Sequence, residues 1–456
     1  MNKIFNNEIK KLSVKKVLVV GSWAKEQITI ENISKNPNIE IFSYMDIHNP
    51  GIIPLVKDYQ VGSFYDIEKI VKYAKDQYID LVIITTATPL SIGLVDLLEE
   101  HKIPVFGPNR LAARLESDKE FTRKLLQKYI PIAIPNFDVF DNYRDAVNYS
   151  EKMKWQVAIK PIGLTDGLGV KVFGDQLKDE NDVKMYIRHI IDKKISGLSR
   201  VIVEERLDGE EFTIQCFVNG DNIIPTPAVQ DFKKLLPEDK GPNTASMGSF
   251  SCKKLPFLEE RDYEKALEII RNTLFAFKKE TGKTCSGFLY GQFMKTNNGI
   301  KLIEYNFRPG DPEWLNTVFI LKNNLLDIIT ELLVGDVPKV FFEEDMITVC
   351  KYITPIEYPA KLNQILDINL DVQDIKKIEN LRYYYSCGID NKSKLNVGTE
   401  RGIAFIAKAP TIEECNEKVE NAISHVRGEF YYRKDIGTRD LINSKIDHVK
   451  KLITKR

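Results

Sequence analysis

Residues 287–313 read GFLYGQFMKTNNGIKLIEYNFRPGDPE. Two apolar stretches flank Asn297-Asn298-Gly299, a composition suited to a tight turn, so the segment reads as a β-hairpin. Side chains alternate across a strand, which puts Glu304 and Asn306 on one face. With the turn centred on Asn298, Gln292 falls directly across from Glu304. Three oxygen-bearing side chains then converge on one patch, among FLY, FM, LI and Y. Carboxylate and amide oxygens, with phosphates completing the shell, suit Mg²⁺. The same pattern also serves as the solvated polar face of an ordinary hairpin. RPGDPEWLN (308–316) follows directly and sets Arg308, Asp311 and Glu313 in a loop stiffened by Pro309 and Pro312. An arginine beside a metal can clamp a phosphoryl group; a surface loop with solvated charges is the alternative.

Upstream, VIVEERLDGEEF (201–212) is an apolar strand running into two acidic pairs, with Glu204 and Glu211 separated by a turn at Asp208-Gly209. One such carboxylate can accept from an adenine amino group and another from ribose hydroxyls, or both can be plain solvated acids. VAIKPIGLTDGLGVKVF (157–173) reads as strand, glycine loop and strand. Lys160 lies inside the first apolar strand, where a lysine needs a partner such as phosphate. Gly163, Gly167 and Gly169 let backbone N–H groups approach phosphates closely, although a plain hairpin turn uses glycine too. No Gly-Lys-Ser/Thr follows, so this is not a Walker A loop. A second hairpin, CFVNGDNII, is signalled by Asn219-Gly220.

Nearer the N-terminus, VKKVLVVG (14–21), IEIFSY (39–44), DLVIITT (80–86) and IPVFG (103–107) read as strands. Helical stretches fall between them near 66–77 and from Leu90. The alternation indicates a parallel α/β unit ending near residue 115. Ser117 with Glu120 three residues on forms a capping box that should start the helix DKEFTRKLLQKYI. The expected organisation is thus a parallel Rossmann-like domain (1–115), a mixed domain (116–340) with a lid of about 121–200, an α+β domain (341–445) and a basic tail (446–456). The tail reads as a helix or a frayed end.

The chain has 456 residues, more than one core usually serves, which supports several domains. Lys plus Arg and Asp plus Glu both number 65, so net charge is zero and a nucleic-acid partner is disfavoured. Six cysteines stand singly at 216, 252, 285, 350, 387 and 415, without the spacing of a zinc or redox motif. The first residues lack the apolar core of a secretory signal, and no apolar run approaches the ~20 residues that span a bilayer. A soluble, cytoplasmic protein without a membrane or nucleic-acid partner is expected, as a monomer or a small homo-oligomer.

Together these pieces resemble the ATP-grasp superfamily, and most closely the phosphoribosylamine–glycine ligases of purine synthesis. The likeness runs in order through VLVVGS (17–22), KPIGL with GLGV (160–170), EERLDGEE (204–211), QDFKKLLPEDKGPNTASMGSFS (230–251), GFLYGQFM (287–294), IEYNFRPGDPE (303–313) and YRKDIGTR (432–439). The resemblance implies that Lys119, Lys160 and the glycine loop contact ATP phosphates. It gives the adenine edge to Glu204 with Leu207 backbone, and the ribose to Glu211. Gln292, Glu304 and Asn306 would bind Mg²⁺ or Mn²⁺, and Arg308 would stabilise the transferring phosphoryl group. Asp231 and the GPNT loop around Asn243 would position glycine. Asp311, Pro312 and Glu313 would border 5-phosphoribosylamine. The implied chemistry is ligation through glycyl phosphate. Three loops depart from the family pattern: Trp23-Ala24-Lys25-Glu26 stands for Gly-Gly-Arg-Glu, Leu168 for a lysine, and Ala245-Ser246 for Gly-Gly. They leave two other readings open, an ATP-grasp ligase with a different substrate and an ATP-binding relative impaired in catalysis. A NAD-dependent dehydrogenase rests on the first strand alone and lacks G-x-G-x-x-G.

Overall fold

The computed structural model describes residues 14–164, 169–361, 363–389, 394–398 and 400–454. Val17, Leu18, Val19 and Val20 are wholly buried because their strand lies at the centre of a five-stranded parallel sheet. The order across the sheet is Asp58–Val61, Glu40–Met45, Lys16–Val20, Leu81–Ile84 and Val105–Phe106. A run apolar on both faces suits such a position, with helices covering each side. The helix expected from Leu90 is two helices, Ala87–Ile92 and Leu94–Glu100, separated at Gly93, which adopts φ +101°.

The capping box expected at Ser117 is not formed. Ser117 is the last residue of the helix Arg110–Ser117, and the next helix, Lys119–Tyr129, is capped by Asp118, whose side chain accepts from Phe121 N–H. Aspartate accepts at an N-cap as well as serine does, and the sequence reading does not place the helix Arg110–Ser117 that occupies Ser117.

Beyond this break a small antiparallel sheet is ordered Phe137–Phe140, Val201–Glu205, Val157–Pro161 and Lys171–Val172, with helices Tyr143–Lys152 and Glu180–Lys193 sharing its core. A larger sheet carries the hairpin Ser286–Thr296/Gly299–Asn306 at one edge. It continues through Gly209–Asn219, Val229–Asp231 and Gly248–Ser251 into Ile347–Ile353, Ile403–Ala409 and Leu381–Tyr385. The α+β segment near the C-terminus is therefore joined to the preceding sheet strand by strand, Ser249 opposite Cys350. The turn after Gly209–Asn219 consists of Gly220 and Asp221, since Asn219 pairs with Asn222. The tail is an ordered helix, Arg439–Thr454, burying Leu441, Ile442, Val449 and Leu452. All six cysteines are free. Among the described residues no helix is long and apolar enough to cross a membrane.

Candidate active site

The site lies where the two antiparallel sheets and the parallel domain meet. Gln292 does sit opposite Glu304, by a route the hairpin pattern does not reveal. Thr296 pairs with Gly299, and plain counting from that turn would place Gln292 opposite Ile303. The ladder instead runs from Phe293–Leu302 to Gln292–Glu304, leaving Ile303 as an extra residue. This bulge brings Glu304 across from Gln292, with Asn306 two residues on. Gln292 is 1% exposed; its Nε2 donates to Glu211, while Oε1 has no hydrogen-bond partner. A free buried amide oxygen beside a carboxylate is a donor set that fits a hard divalent cation. Removal from bulk water pushes the Glu304 carboxyl up, but Lys233, Lys119, Lys160 and Arg308 outweigh it and hold the carboxyl below its ordinary value.

Two of those cations come from the side of the glycine loop. Lys119 opens its helix, and its Nζ donates to Gly163 O at 2.8 Å, which ties it to the glycine loop. Burial lowers its pKa, as expected for an ammonium that gains from a phosphate partner. Lys160 is buried in its strand, Nζ 2.6 Å from Glu204 Oε2. Glu204, to which the resemblance gives the adenine edge, pairs here with two cations. Both oxygens are engaged, Oε1 by Arg123 Nε at 2.6 Å and Oε2 by Arg123 Nη2 at 3.1 Å and by Lys160. Burial alone would raise this carboxyl; Arg123 and Lys160 hold it down to about 2. It meets an arginine and a lysine rather than an open cleft. Leu207 follows in the connection to Gly209–Asn219, partly buried. Gly169 O accepts from Tyr186 Oη at 2.7 Å, and Gly167 and Leu168 lie outside the described residues.

Asp231 and Lys233 join the same cluster, Lys233 acting on both Glu211 and Glu304. Asp231 is buried with Oδ1 unpartnered, and burial pushes its carboxyl up to about 8, against the pull of Lys233. Lys233 Nζ is 3.5 Å from Glu211 Oε2, and its side chain is 34% exposed. Burial would lower its pKa, yet Glu211, Asp231, Glu304 and Glu313 together raise it. The GPNT loop folds onto this segment, Thr244 N donating to Lys233 O at 2.7 Å, with Asn243 opposite Lys234 and partly buried.

The turn after the hairpin completes the ring. Gly310 N donates to Gln215 Oε1 at 2.8 Å, and a Cβ at Gly310 would fall 2.7 Å from Glu313 Oε2, so only glycine fits. Asp311 joins Pro312 by a cis peptide bond, and Pro312 leads into the helix Glu313–Phe319. Glu313 accepts from Tyr290 Oη at 2.8 Å. Asp311 Oδ1 is 3.0 Å from Arg401 Nη2 and accepts from Tyr352 Oη at 2.5 Å, while Oδ2 has no partner. Arg308 Nε lies 3.2 Å from Glu116 Oε1, and Glu116 Oε2 accepts from Phe307 N at 2.9 Å. From the parallel domain, Trp23-Ala24-Lys25-Glu26 forms the first turn of the helix Ala24–Ile33, with Trp23 N donating to Glu26 Oε2 at 2.7 Å. Glu26 feels the charge of Asp311, so this turn borders the same region. Arg123, Lys233, Glu116, Tyr290 and Arg401 are members of the site that sequence reading did not single out.

With this geometry in place, comparison with known proteins is informative. A profile described as phosphoribosylglycinamide synthetase, N domain, matches residues 15–116, and one for the ATP-grasp (A) domain of the same enzyme matches 117–314. The phosphoribosylamine–glycine ligase of Methanopyrus kandleri is 39% identical over 444 residues, covering 96% of this chain and 99% of that protein.

The chain belongs to the phosphoribosylglycinamide synthetase family.

Its relatives of that name include the ligase of Methanobrevibacter smithii, 40% identical over 96% of this chain and 100% of that protein. Among solved structures, the phosphoribosylamine–glycine ligase of Thermotoga maritima matches with a TM-score of 0.75 and 26% identity over 92% of this chain and 100% of that one. A biotin carboxylase from Campylobacter jejuni shares the fold alone, at 13% identity and a TM-score of 0.71, over 98% of this chain and 100% of that one. The ATP-grasp fold and the carbon–nitrogen ligase class read from the sequence are those of this family.

Proposed function

We propose that this chain joins glycine to 5-phosphoribosylamine, converting ATP to ADP and phosphate and yielding glycinamide ribonucleotide. One observation carries the reading. Glu304 and Gln292 stand between two lysines on the nucleotide side, Lys119 and Lys160, and an unpartnered buried carboxylate with its lysine on the other, Asp231 and Lys233. A site for phosphoryl transfer to a small zwitterion needs this polarity: cations for phosphate and acyl oxygens, and an acceptor for an ammonium.

Lys119, Lys160 and the glycine loop hold the phosphates. With Glu204 committed to Arg123 and Lys160, the backbone of the connection through Leu207 meets the adenine edge, and Glu211 meets the ribose. Gln292, Glu304 and Asn306 would hold Mg²⁺ or Mn²⁺, which would supply charge neutralisation for the transferring phosphates. An arriving ammonium draws the raised pKa of Asp231 down, so its carboxylate receives the glycine ammonium, with Asn243 beside it. A glycine carboxylate oxygen bonds to the γ-phosphorus as the bond to ADP breaks, and Arg308 offsets charge on the equatorial oxygens. The phosphoribosylamine nitrogen, beside Asp311, Pro312 and Glu313, then attacks the acyl carbon. The carbon–oxygen bond breaks, and phosphate and a proton leave.

The deciding experiment is ADP release from Mg·ATP and glycine, with and without freshly generated phosphoribosylamine. Release that requires both, with glycinamide ribonucleotide formed, is the expected result. Release that needs glycine but proceeds equally with other amines would transfer the reading to a ligase of different specificity.

A further inference from the structure

Arg123 is 3% exposed on the helix Lys119–Tyr129, and its guanidinium reaches two strands belonging to different sheets. Its Nε and Nη2 take both oxygens of Glu204, as described, and Nη2 also donates to Ile303 O at 2.6 Å. Glu204 in turn holds Lys160. Ile303 is the bulge residue, the one with no counterpart across the hairpin ladder. A partly buried carbonyl outside the ladder gains from a donor elsewhere, and here Arg123 supplies one.

We propose that Arg123 is a positioning residue that links the phosphate-binding lysine to the metal-binding strand. Through Glu204 it fixes Lys160, and through Ile303 O it holds the bulge that turns Glu304 toward Gln292. The inference rests on the assignments of Lys160 to phosphate and Glu304 to metal made above. Only arginine has the geometry for this link. Its planar fork spans both carboxylate oxygens and leaves a donor for a third acceptor, whereas a lysine offers one nitrogen and cannot reach all three. The bond to Ile303 O also gives the displaced, partly buried carbonyl of the bulge a charged donor.

Two variants of the full-length protein separate the two arms of the link. Arg123→Lys keeps the charge beside Glu204 and gives up the fork, while Glu204→Gln leaves Ile303 O with its donor and releases Lys160. The readouts are Mn²⁺ binding in the presence of ADP by electron paramagnetic resonance, ATP binding by calorimetry, and KM for glycine. Arg123→Lys is expected to weaken Mn²⁺ binding about ten- to a hundredfold and to weaken ATP, with KM for glycine unchanged. Glu204→Gln is expected to weaken ATP and spare Mn²⁺. Wild-type Mn²⁺ affinity in Arg123→Lys would overturn the proposal, as would a loss of Mn²⁺, ATP and glycine in equal proportion, the mark of a merely structural role. If the wild-type protein binds Mn²⁺ and ATP but ligates nothing, the functional reading fails, while the binding data still decide the link.

Discussion

Ser246 stands at φ +87°, where the family places glycine, and the structure shows how a serine is tolerated there. Its Oγ donates to Gly248 O at 3.0 Å and accepts from Gly248 N at 3.3 Å, and its own N–H donates to Thr244 Oγ1 at 3.1 Å. The left-handed backbone costs a non-glycine residue about 1–3 kcal/mol, and the hydroxyl bonds return about 1 kcal/mol each. Ser246→Ala keeps the strain and loses the bonds, so it should destabilise by about 1–2 kcal/mol in denaturant melts. Ser246→Gly loses the bonds and the strain together and should fall within about 1 kcal/mol of wild type. If the alanine variant is as stable as wild type, the hydroxyl bonds do not compensate the backbone. Asp231 gives a second test. Burial, the largest influence, lifts its folded-state value to about 8, whereas an unfolded aspartate titrates near ~3.9. Between those values the folded chain holds a proton that the unfolded chain has lost, so stability falls as pH rises through the window and levels off above about 8. Asp231→Asn should flatten the decline in Tm between pH 6 and pH 9. Parallel slopes in the two proteins would place that titration elsewhere. Lys160 was legible in the sequence because a lysine inside an apolar strand asks for a partner. Arg123 and Lys233 were not, since each is one cation among many in a polar stretch until the fold brings carboxylates to it.

At the scale of elements, the alternating pattern of the hairpin at 286–306 fixed its two strands, and the apolar runs marked most of the parallel sheet. What the pattern could not carry was an inserted residue. Periodicity gives the faces of each strand separately, whereas a bulge such as the one at Ile303 depends on what a partner distant in sequence offers its carbonyl. The break before the helix Lys119–Tyr129 shows a related limit. Ser117 and Asp118 are both competent caps, and backbone course alone chose between them: Asp118 lies outside the helical region and accepts from Phe121 N–H at 2.9 Å. Asp118→Ala should therefore lower stability by about 1 kcal/mol, while Ser117→Ala, inside the last turn of the preceding helix, should change it little. Equal effects of the two substitutions on the denaturation midpoint would contradict the observed cap. The result matters for the site because this cap sets the start of the helix that carries Lys119 and Arg123.

Across the whole molecule the ring of site residues is closed by a side chain from the C-terminal segment. Arg401, 2% exposed, donates through Nη1 to Ala245 O at 2.6 Å and to Asp311 O at 2.9 Å, and places Nη2 3.0 Å from Asp311 Oδ1. It stacks over Tyr352, 4.0 Å from the ring centroid, on the strand that continues the core sheet. One guanidinium thus ties the loop at Ala245, the Asp311–Pro312 turn and the C-terminal segment into one wall. No local motif announces such a residue, because the two loops it joins, at Asp311 and Ala245, lie 90 and 156 positions away. The physical consequence is an asymmetry between removing one charge and removing two. Arg401→Met leaves Asp311 buried without its cation, a change that costs about 3–5 kcal/mol in comparable buried pairs. Adding Asp311→Asn to that variant removes the stranded charge, so the double variant should regain much of the lost stability even though it carries one more substitution. Denaturant melts of the two single variants and the double complete the thermodynamic cycle. Additive losses would mean that Arg401 acts chiefly through its bonds to the Ala245 and Asp311 carbonyls; a rescued double variant would assign the stabilisation to the ion pair that closes the site.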